Sequence, residues 1–223
     1  VPKVVIEMAV SKGAQLADNG RLLFSRGFVE DIITGAAKRF VFHGRDPAHD
    51  FEIGDERVHF GTGGAAVQTL DLHSGRYRPS TLEDLHDFTR LIDTLENVSW
   101  FTRCCVATDV PDNFDLDVNT AYALLKNTTK PVATSFTLAS HVAPIVEMLD
   151  IAAGGQGEFA KRPFLKAHIS PMISPLRYGE DAVDVVYQCV KHCIPISCIT
   201  AAQAGATAPA TLAGFLAQSL AET

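Results

Sequence analysis

From residue 57 onward the chain alternates short β-branched apolar runs with amphipathic stretches of helical period, repeating every 30 to 40 residues or so. The runs are Val58 to Leu70, Trp100 to Thr108, Val132 to Thr137, Phe164 to Ser170 and Pro195 to Thr200. They are continuously apolar rather than alternating, as strands covered on both faces must be, so the expected sheet is parallel. Each strand then needs a crossover helix. Five βα units are expected.

The intervening segments carry the matching helix signals. Ser80-Thr-Leu-Glu83 reads as a capping box ahead of Leu82, Leu85, Phe88, Leu91, Ile92 and Leu95 at helical spacing. Asp115 opens a second helix with Lys126 near its C-terminus, where a cation suits the helix dipole. A third spans His141 to Ala153 and stops at Gly154-Gly155. The fourth runs from Gly179 to His192. The fifth follows the glycine turn at Gly205, with Thr207 as N-cap and Pro209 in its first turn.

Residues 1 to 56 read as a separate N-terminal extension: helices over Val4 to Asp18 and Arg26 to Lys38, then a hairpin from Phe40 and Phe51 beside or beneath the first core strand. Residues 57 to 223 form the βα region. Five units are too few to close an eight-stranded (β/α)8 or TIM barrel, and the chain reaches residue 223 within a periodic helix. An incomplete barrel in a truncated chain is the expectation. A doubly wound open sheet is the alternative, though no G-x-G-x-x-G lies at any strand end.

Composition removes several function classes. A net charge of −7 without a Lys/Arg cluster is the wrong footprint for nucleic acid. No apolar stretch reaches the roughly 18 to 20 residues that span a bilayer, and no signal-peptide pattern opens the chain, so no membrane association and a cytoplasmic location are expected. The five cysteines lack a C-x-x-C spacing and read as buried free thiols; Cys189 and Cys193 share a helix face without further ligands, so no metal site is expected. Hydrolase, zincin and NTPase motifs are absent.

In parallel βα architectures the working residues sit at the C-terminal strand ends. Gly61, Thr62, Gly63 and Gly64 permit close backbone approach to a ligand or a bulge, and the two readings stand open. Asp109 faces a cavity or forms a turn. Thr134, Ser135 and Phe136 suit a small ligand, or simply strand propensity. Alternation puts Lys166, His168 and Ser170 on one face of the fourth strand, a polar stripe that is costly unless it lines a wet cavity. His168 is the titratable candidate. Gln203, with donor and acceptor, and Gly205 end the fifth strand.

Six segments, in order, resemble the trimethylamine:corrinoid methyltransferase family: His43-Gly-Arg-Asp-Pro-Ala-His-Asp50, Phe60-Gly-Thr-Gly-Gly-Ala-Ala66, Ser80-Thr-Leu-Glu-Asp-Leu85, Asp117-Val-Asn-Thr-Ala-Tyr-Ala123, Thr129-Lys-Pro-Val-Ala-Thr-Ser135 and Gln203-Ala-Gly-Ala-Thr-Ala-Pro-Ala-Thr-Leu-Ala-Gly214. The resemblance implies a TIM barrel that takes a methylated amine, trimethylamine or glycine betaine, and passes a methyl group to the Co(I) corrinoid of a separate partner protein. No cofactor is then bound directly, and a non-pyrrolysine betaine-type member fits best. His168 and Gln203 become the expected catalytic residues; Gly61 to Gly64, Thr134 to Phe136, Ser170 and Gly205 become the substrate-binding end, where the small residues Gly61 to Gly64 and Gly205 would let a corrin ring approach. The family's members are roughly twice this length, and its pyrrolysine position lies outside these residues. Exposed strand edges and helix faces lead us to expect a homo-oligomer. Two other readings are an aldolase or lyase with Lys166 as Schiff base, and a non-catalytic assembly module.

Overall fold

The computed structural model describes residues 3–223. Its centre is a four-stranded parallel sheet of β1 (Phe101–Thr102), β2 (Val132–Thr134), β3 (Leu165–Ile169) and β4 (Ile196–Cys198), ordered as in the chain. The register pairs Phe101 with Val132, Val132 with Leu165, and Ala167 with Ile196. Among the described residues the strand order of this sheet follows the chain without reversing.

The expected first strand is not one element. Residues 60 to 66 run parallel to 100–105 through two bridges, Gly61 with Trp100 and Ala66 with Cys105, and Ala66 N donates to Cys104 O at 3.0 Å. Beyond them Gln68–Leu70 turns away and pairs antiparallel with Tyr77–Pro79. Gly64, at φ 116°, sits where the ladder breaks, a conformation that costs glycine little. A fifth parallel segment is therefore present in its expected place, weakly laddered.

Five long helices, besides the single turn Glu158–Lys161, follow among the described residues: α1 (Leu82–Asp93), α2 (Asn113–Asn127), α3 (Val142–Ala153), α4 (Glu180–Lys191) and α5 (Leu212–Glu222). Several starts move. The capping box is Thr81 with Asp84, one residue later than expected, because the Ser80 hydroxyl is taken by Val106 O at 2.6 Å. Asp112 rather than Asp115 caps α2, accepting from Phe114 N and Asp115 N. Thr211 rather than Thr207 caps α5; the Thr207 hydroxyl instead accepts from Gln203 N at 2.9 Å, holding the turn. α3 ends at Gly154 in the left-handed region, as the glycine pair predicts.

The outer face of the sheet supplies the core. Phe101, Val132 and Leu165 pack with Leu85, Leu124, Ile145, Leu149 and Phe159, all essentially inaccessible. Burial of this set is worth roughly 1.5 to 3 kcal/mol per large side chain. Three of the five thiols fit the apolar pattern, but Cys193 and Cys198 are exposed, a departure from the expected burial. Cys193 follows the end of α4 at φ 57°, which turns its side chain out of the helical stripe.

The N-terminal extension is shorter in its helices than its periodicity predicts: Lys3–Ser11 and Arg26–Gly35. Gly13 at φ 110° ends the first, and Gln15–Leu16 pairs with Leu22–Leu23 around the turn at Gly20. Its hairpin, Phe40–Phe42 with Phe51–Ile53, lies at the N-terminal end of the sheet. Phe51 stacks on Trp100 with ring centroids 5.9 Å apart. Residues 43 to 50 bolt this hairpin down. Asp50 accepts from Gly44 N at 2.9 Å, from His43 Nδ1 at 3.0 Å and from both Arg162 terminal nitrogens at 2.9 and 3.0 Å. His49 Nδ1 meets the Thr129 hydroxyl at 2.9 Å, and Lys130 Nζ closes the end of α1 by donating to Ile92 O and Leu95 O. The motifs around 43 to 50 and 129 to 130 are thus joinery between the extension and the βα region.

Two outcomes test this packing. A Cβ on Gly61 would stand 2.0 Å from Cε2 of Trp100, so Gly61→Ala should cost about 1–3 kcal/mol and lower the melting temperature. Arg78, donating to both Asp84 oxygens, holds the Asp84 carboxyl down to about 2 against an ordinary 3.8. The stability from Asp84 is present above pH 3.8 and lost as pH falls towards 2. Asp84→Asn should lose about 1 kcal/mol at neutral pH and flatten that acid limb in pH-resolved denaturation.

Candidate functional site

A cavity of about 390 Å³ opens at the C-terminal ends of the strands, lined by Gly64, Ala65, Thr102, Arg103, Thr134, Ser135, His168, Ile169, Ser170 and Ile199. The lining residues come from the ends of five successive parallel segments, so the site exists only because those segments finish together. The structure brings together five of the sequence candidates here: Gly64, Thr134, Ser135, His168 and Ser170.

The others lie elsewhere. Gly61 is a packing position beneath the Trp100 indole. Thr62 donates its hydroxyl hydrogen to Thr102 O at 2.5 Å, and Gly63 stands open beside the cavity rather than in its wall. Phe136 belongs to the apolar core. Gln203 lines an adjoining hollow of about 320 Å³ that shares Ser170 with the first, together with Met172, Ala201 and Thr207. Gly205 lies in the turn after it, at φ 81°, with its N–H donated to Ala208 O. Asp109 is a structural acceptor for Leu82 N at 2.9 Å at the start of α1.

The polar stripe of β3 is graded along its length. Lys166, deepest, does not line the cavity; its Nζ lies 5.0 Å from the Trp100 ring centroid and 5.1 Å from that of Phe42. Burial pushes its ammonium down from the ordinary lysine value, and the two π faces supply the compensation. A carbonyl substrate in the cavity would not meet Lys166, which counts against the Schiff-base reading. His168 comes next, then Ser170 at the mouth.

His168 Nδ1 is buried without a hydrogen-bond partner among the described residues. Burial, then the positive charges of Lys166 and Arg103, push its imidazole below the ordinary 6.5. It is neutral at pH 7. The serine hydrogens are already committed: Ser135 Oγ donates to His168 O at 2.7 Å and Ser170 Oγ to Met172 O at 2.8 Å. Their lone pairs remain for the cavity.

Sequence reasoning missed Arg103. It is half-buried, and burial pushes its guanidinium below the ordinary value. Among the described residues it has no ion pair and no side-chain hydrogen bond. Asp117 acts on it through space, but that carboxylate already accepts from Thr137 N at 2.6 Å, Thr137 Oγ1 at 2.8 Å and His141 Nδ1 at 2.8 Å. The one available signal was a charged residue inside an apolar run. No cluster of three metal-ligating side chains occurs among the described residues.

Residues 2–223 match the trimethylamine methyltransferase family. The chain belongs to that family. Among relatives, a trimethylamine methyltransferase of Desulfitobacterium hafniense is 29% identical over 188 residues, 84% of this chain and 38% of its own length. A glycine betaine methyltransferase from another strain of that species is 27% identical over 209 residues, 93% of this chain and 43% of its own. A trimethylamine methyltransferase of Methanosarcina thermophila is 29% identical over 186 residues, 81% and 38% of the respective lengths. The chain thus spans well under half the length of these curated relatives. No helix of the described residues is long and apolar enough to cross a membrane.

The electrostatics of this family member can be read by titration. An NMR titration of His168 should give a midpoint below 6.5, moving upward in Lys166→Met as one neighbouring charge is removed. Because the unfolded chain binds this proton more readily, His168 should lower stability as pH falls below 6.5. A midpoint at or above 6.5 would contradict the described environment.

Proposed function

We propose that the whole protein is a methyltransferase that moves a methyl group from a tertiary or quaternary methylated amine to the Co(I) corrinoid of a separate partner protein. The observation that carries this is the match of residues 2–223 to the trimethylamine methyltransferase family, on a chain whose parallel strand ends open a cavity lined by small and hydroxyl residues. The chemistry is positioning: the N-methyl carbon must lie in line between its nitrogen and the attacking metal with water excluded, and the amine leaves with the electron pair of the broken C–N bond. Little acid–base work is needed for a quaternary substrate.

In this reading the sequentially ordered sheet is one part of a TIM barrel, residues 57 to 223 contribute its βα units, and residues 1 to 56 close its lower end. His168 and Gln203 are the polar side chains nearest the substrate, with Gly64, Thr134, Ser135 and Ser170 shaping its pocket. Gly61, Thr62 and Phe136 serve by holding that frame. No cofactor is bound directly by this chain; the corrinoid arrives as the methyl acceptor. A Cβ on Gly63 would meet nothing within 4 Å, and one on Gly205 only Ala210 Cβ at 4.0 Å, which suits the approach of a wide planar ring. A cytoplasmic homo-oligomer belongs to the same reading, supported by the exposed thiols Cys193 and Cys198 and by exposed apolar side chains such as Ile151 and Leu220.

The test is spectroscopic. With a Co(I) corrinoid protein from the same source, the whole protein should convert Co(I) to methyl-Co(III) in the presence of an N-methylated amine, and His168→Ala should slow that conversion by roughly 10², the scale of a substrate held out of line. Spectra unchanged across all N-methyl compounds would overturn the proposal.

A further inference from the structure

Cys104 and Cys105 are neighbours in the chain, and the structure turns both to the same side of the sheet. Cys105 is buried in the core cluster, and Cys104, half-buried, packs against that cluster. A regular strand points successive side chains to opposite faces. Here the regular pairing of β1 ends at Thr102, and a single bridge from Ala66 to Cys105 continues it. Thr102 and Arg103 both line the cavity, so the alternation slips there, and the next two side chains turn to the core. A hydrogen bond from the Cys105 thiol holds the Cys104 thiol below its ordinary value, and the same bond with burial pushes Cys105 up. Cys104 is the thiol that loses its proton first, with a second thiol in reach.

The pair lies directly behind the cavity wall. Gly64 and Arg103 belong to that wall, and the segment carrying Gly64 is tied to this stretch by Ala66 N donating to Cys104 O at 3.0 Å and Val106 N to Ala66 O at 2.8 Å. A disulfide between neighbouring residues is cramped, because consecutive Cα atoms are about 3.8 Å apart against roughly 4.4 to 6.8 Å in ordinary disulfides. Such a bond is strained, so it closes only when the surroundings turn oxidising and opens readily when they do not. Closing it also turns the peptide that carries Cys104 O. The hydrogen bond from Ala66 then loosens, and the wall moves with it.

We propose that Cys104 and Cys105 are a reversible redox site, oxidised by a small-molecule disulfide to a disulfide between the two neighbours, and that this closure displaces Gly64 and Arg103 in the cavity wall. The Cys104 thiolate attacks one sulfur of the reagent, whose other half leaves as a thiolate and takes up a proton. The Cys105 thiolate, its proton passed to solvent, then attacks Cys104 Sγ and expels the second half. The protein dithiol gives up two electrons and two protons, and the reagent is reduced to two thiols. The link to activity rests on the methyltransferase reading: a Co(I) acceptor persists only in strongly reducing surroundings, so a dithiol that closes when reducing power is lost shuts the site when its acceptor is gone. The disulfide itself does not depend on that reading.

The whole protein, kept anaerobic, is equilibrated with glutathione mixtures from fully reduced to fully oxidised, quenched in acid, unfolded, alkylated and mapped by peptide mass. The peptide holding Cys104 and Cys105 should pass in one step from two alkyl groups to none, lighter by two hydrogens and free of glutathione, and dithiothreitol should reverse the change. Oxidation should also move the NMR signals of His168, on which the charge of Arg103 acts. In a single turnover begun with pre-reduced Co(I) corrinoid protein freed of excess reductant, it should slow methyl transfer by roughly 10², the scale of a site displaced by about 1 Å. Cys104→Ser should keep the rate of the reduced protein and lose the response to glutathione. A peptide still fully alkylated when the exposed Cys193 and Cys198 have reacted, or one carrying glutathione without the internal bond, would overturn the redox site. A disulfide that leaves the His168 signals unmoved would overturn its link to the wall. Absence of methyl transfer by the reduced protein would overturn the methyltransferase reading, while the peptide map and the His168 signals still decide the site.

Discussion

A parallel sheet must be covered on both faces, and here the two faces are covered by different means. Helices α1 to α4 bury the outer face in the ordinary way, through Leu85, Leu124, Ile145, Leu149 and Val185 against Phe101, Val132 and Leu165. The inner face cannot be treated like that, because its side chains include Lys166 and His168. Its lower end is filled instead by Phe42 and Phe51, brought in by the N-terminal hairpin, with Phe51 against Trp100 at the start of β1. Only the upper end is left with space. The cavity is thus the remainder after the plug is in place, and its position follows from how deeply the hairpin is seated.

That seating explains why several polar motifs lie far from any chemistry. Asp50 ties Gly44, His43 and Arg162 together, and Gly44 has no room for a Cβ, which would stand 2.7 Å from His49 Cβ and 2.8 Å from Asp46 O. Such a clamp needs a histidine, a glycine and an aspartate in close order and an arginine from far along the chain, the same vocabulary as a catalytic site. Read as sequence, the segment from 43 to 50 carries family resemblance without revealing which of the two it is. The distinction is geometric: its partners are Thr129 and Arg162 on the underside, not the strand ends above.

What was legible from sequence follows the range of the forces involved. Local signals gave α1 to α4 and the parallel strands, because helical period, continuous apolar runs and a glycine after α3 each act within a few residues. Boundaries slipped by one to four residues where a hydroxyl found another partner, as Ser80 did with distant Val106 and Thr207 with Gln203 four residues before it. The glycine cluster was ambiguous for the same reason: what excludes a side chain at Gly61 is Trp100, a neighbour invisible in the local sequence. Gly64 reaches the cavity and Gly61 does not, although three residues separate them.

The site shows the same division. Strand alternation was enough to place Lys166, His168 and Ser170 on one face, since period two is a local rule. It could not say that Lys166 would be sealed by two rings, nor that Arg103 would reach the same cavity from a strand end two ladders away. Those two cations are equivalent in sequence and opposite in circumstance. Lys166 faces the negative faces of Phe42 and Trp100, so its charge is answered by the protein itself. Arg103 lines the cavity, and Asp117, the carboxylate that acts on it through space, is already engaged. A buried charge that the fold answers is structure; one that the fold leaves unanswered at the edge of a cavity is a requirement placed on whatever enters it.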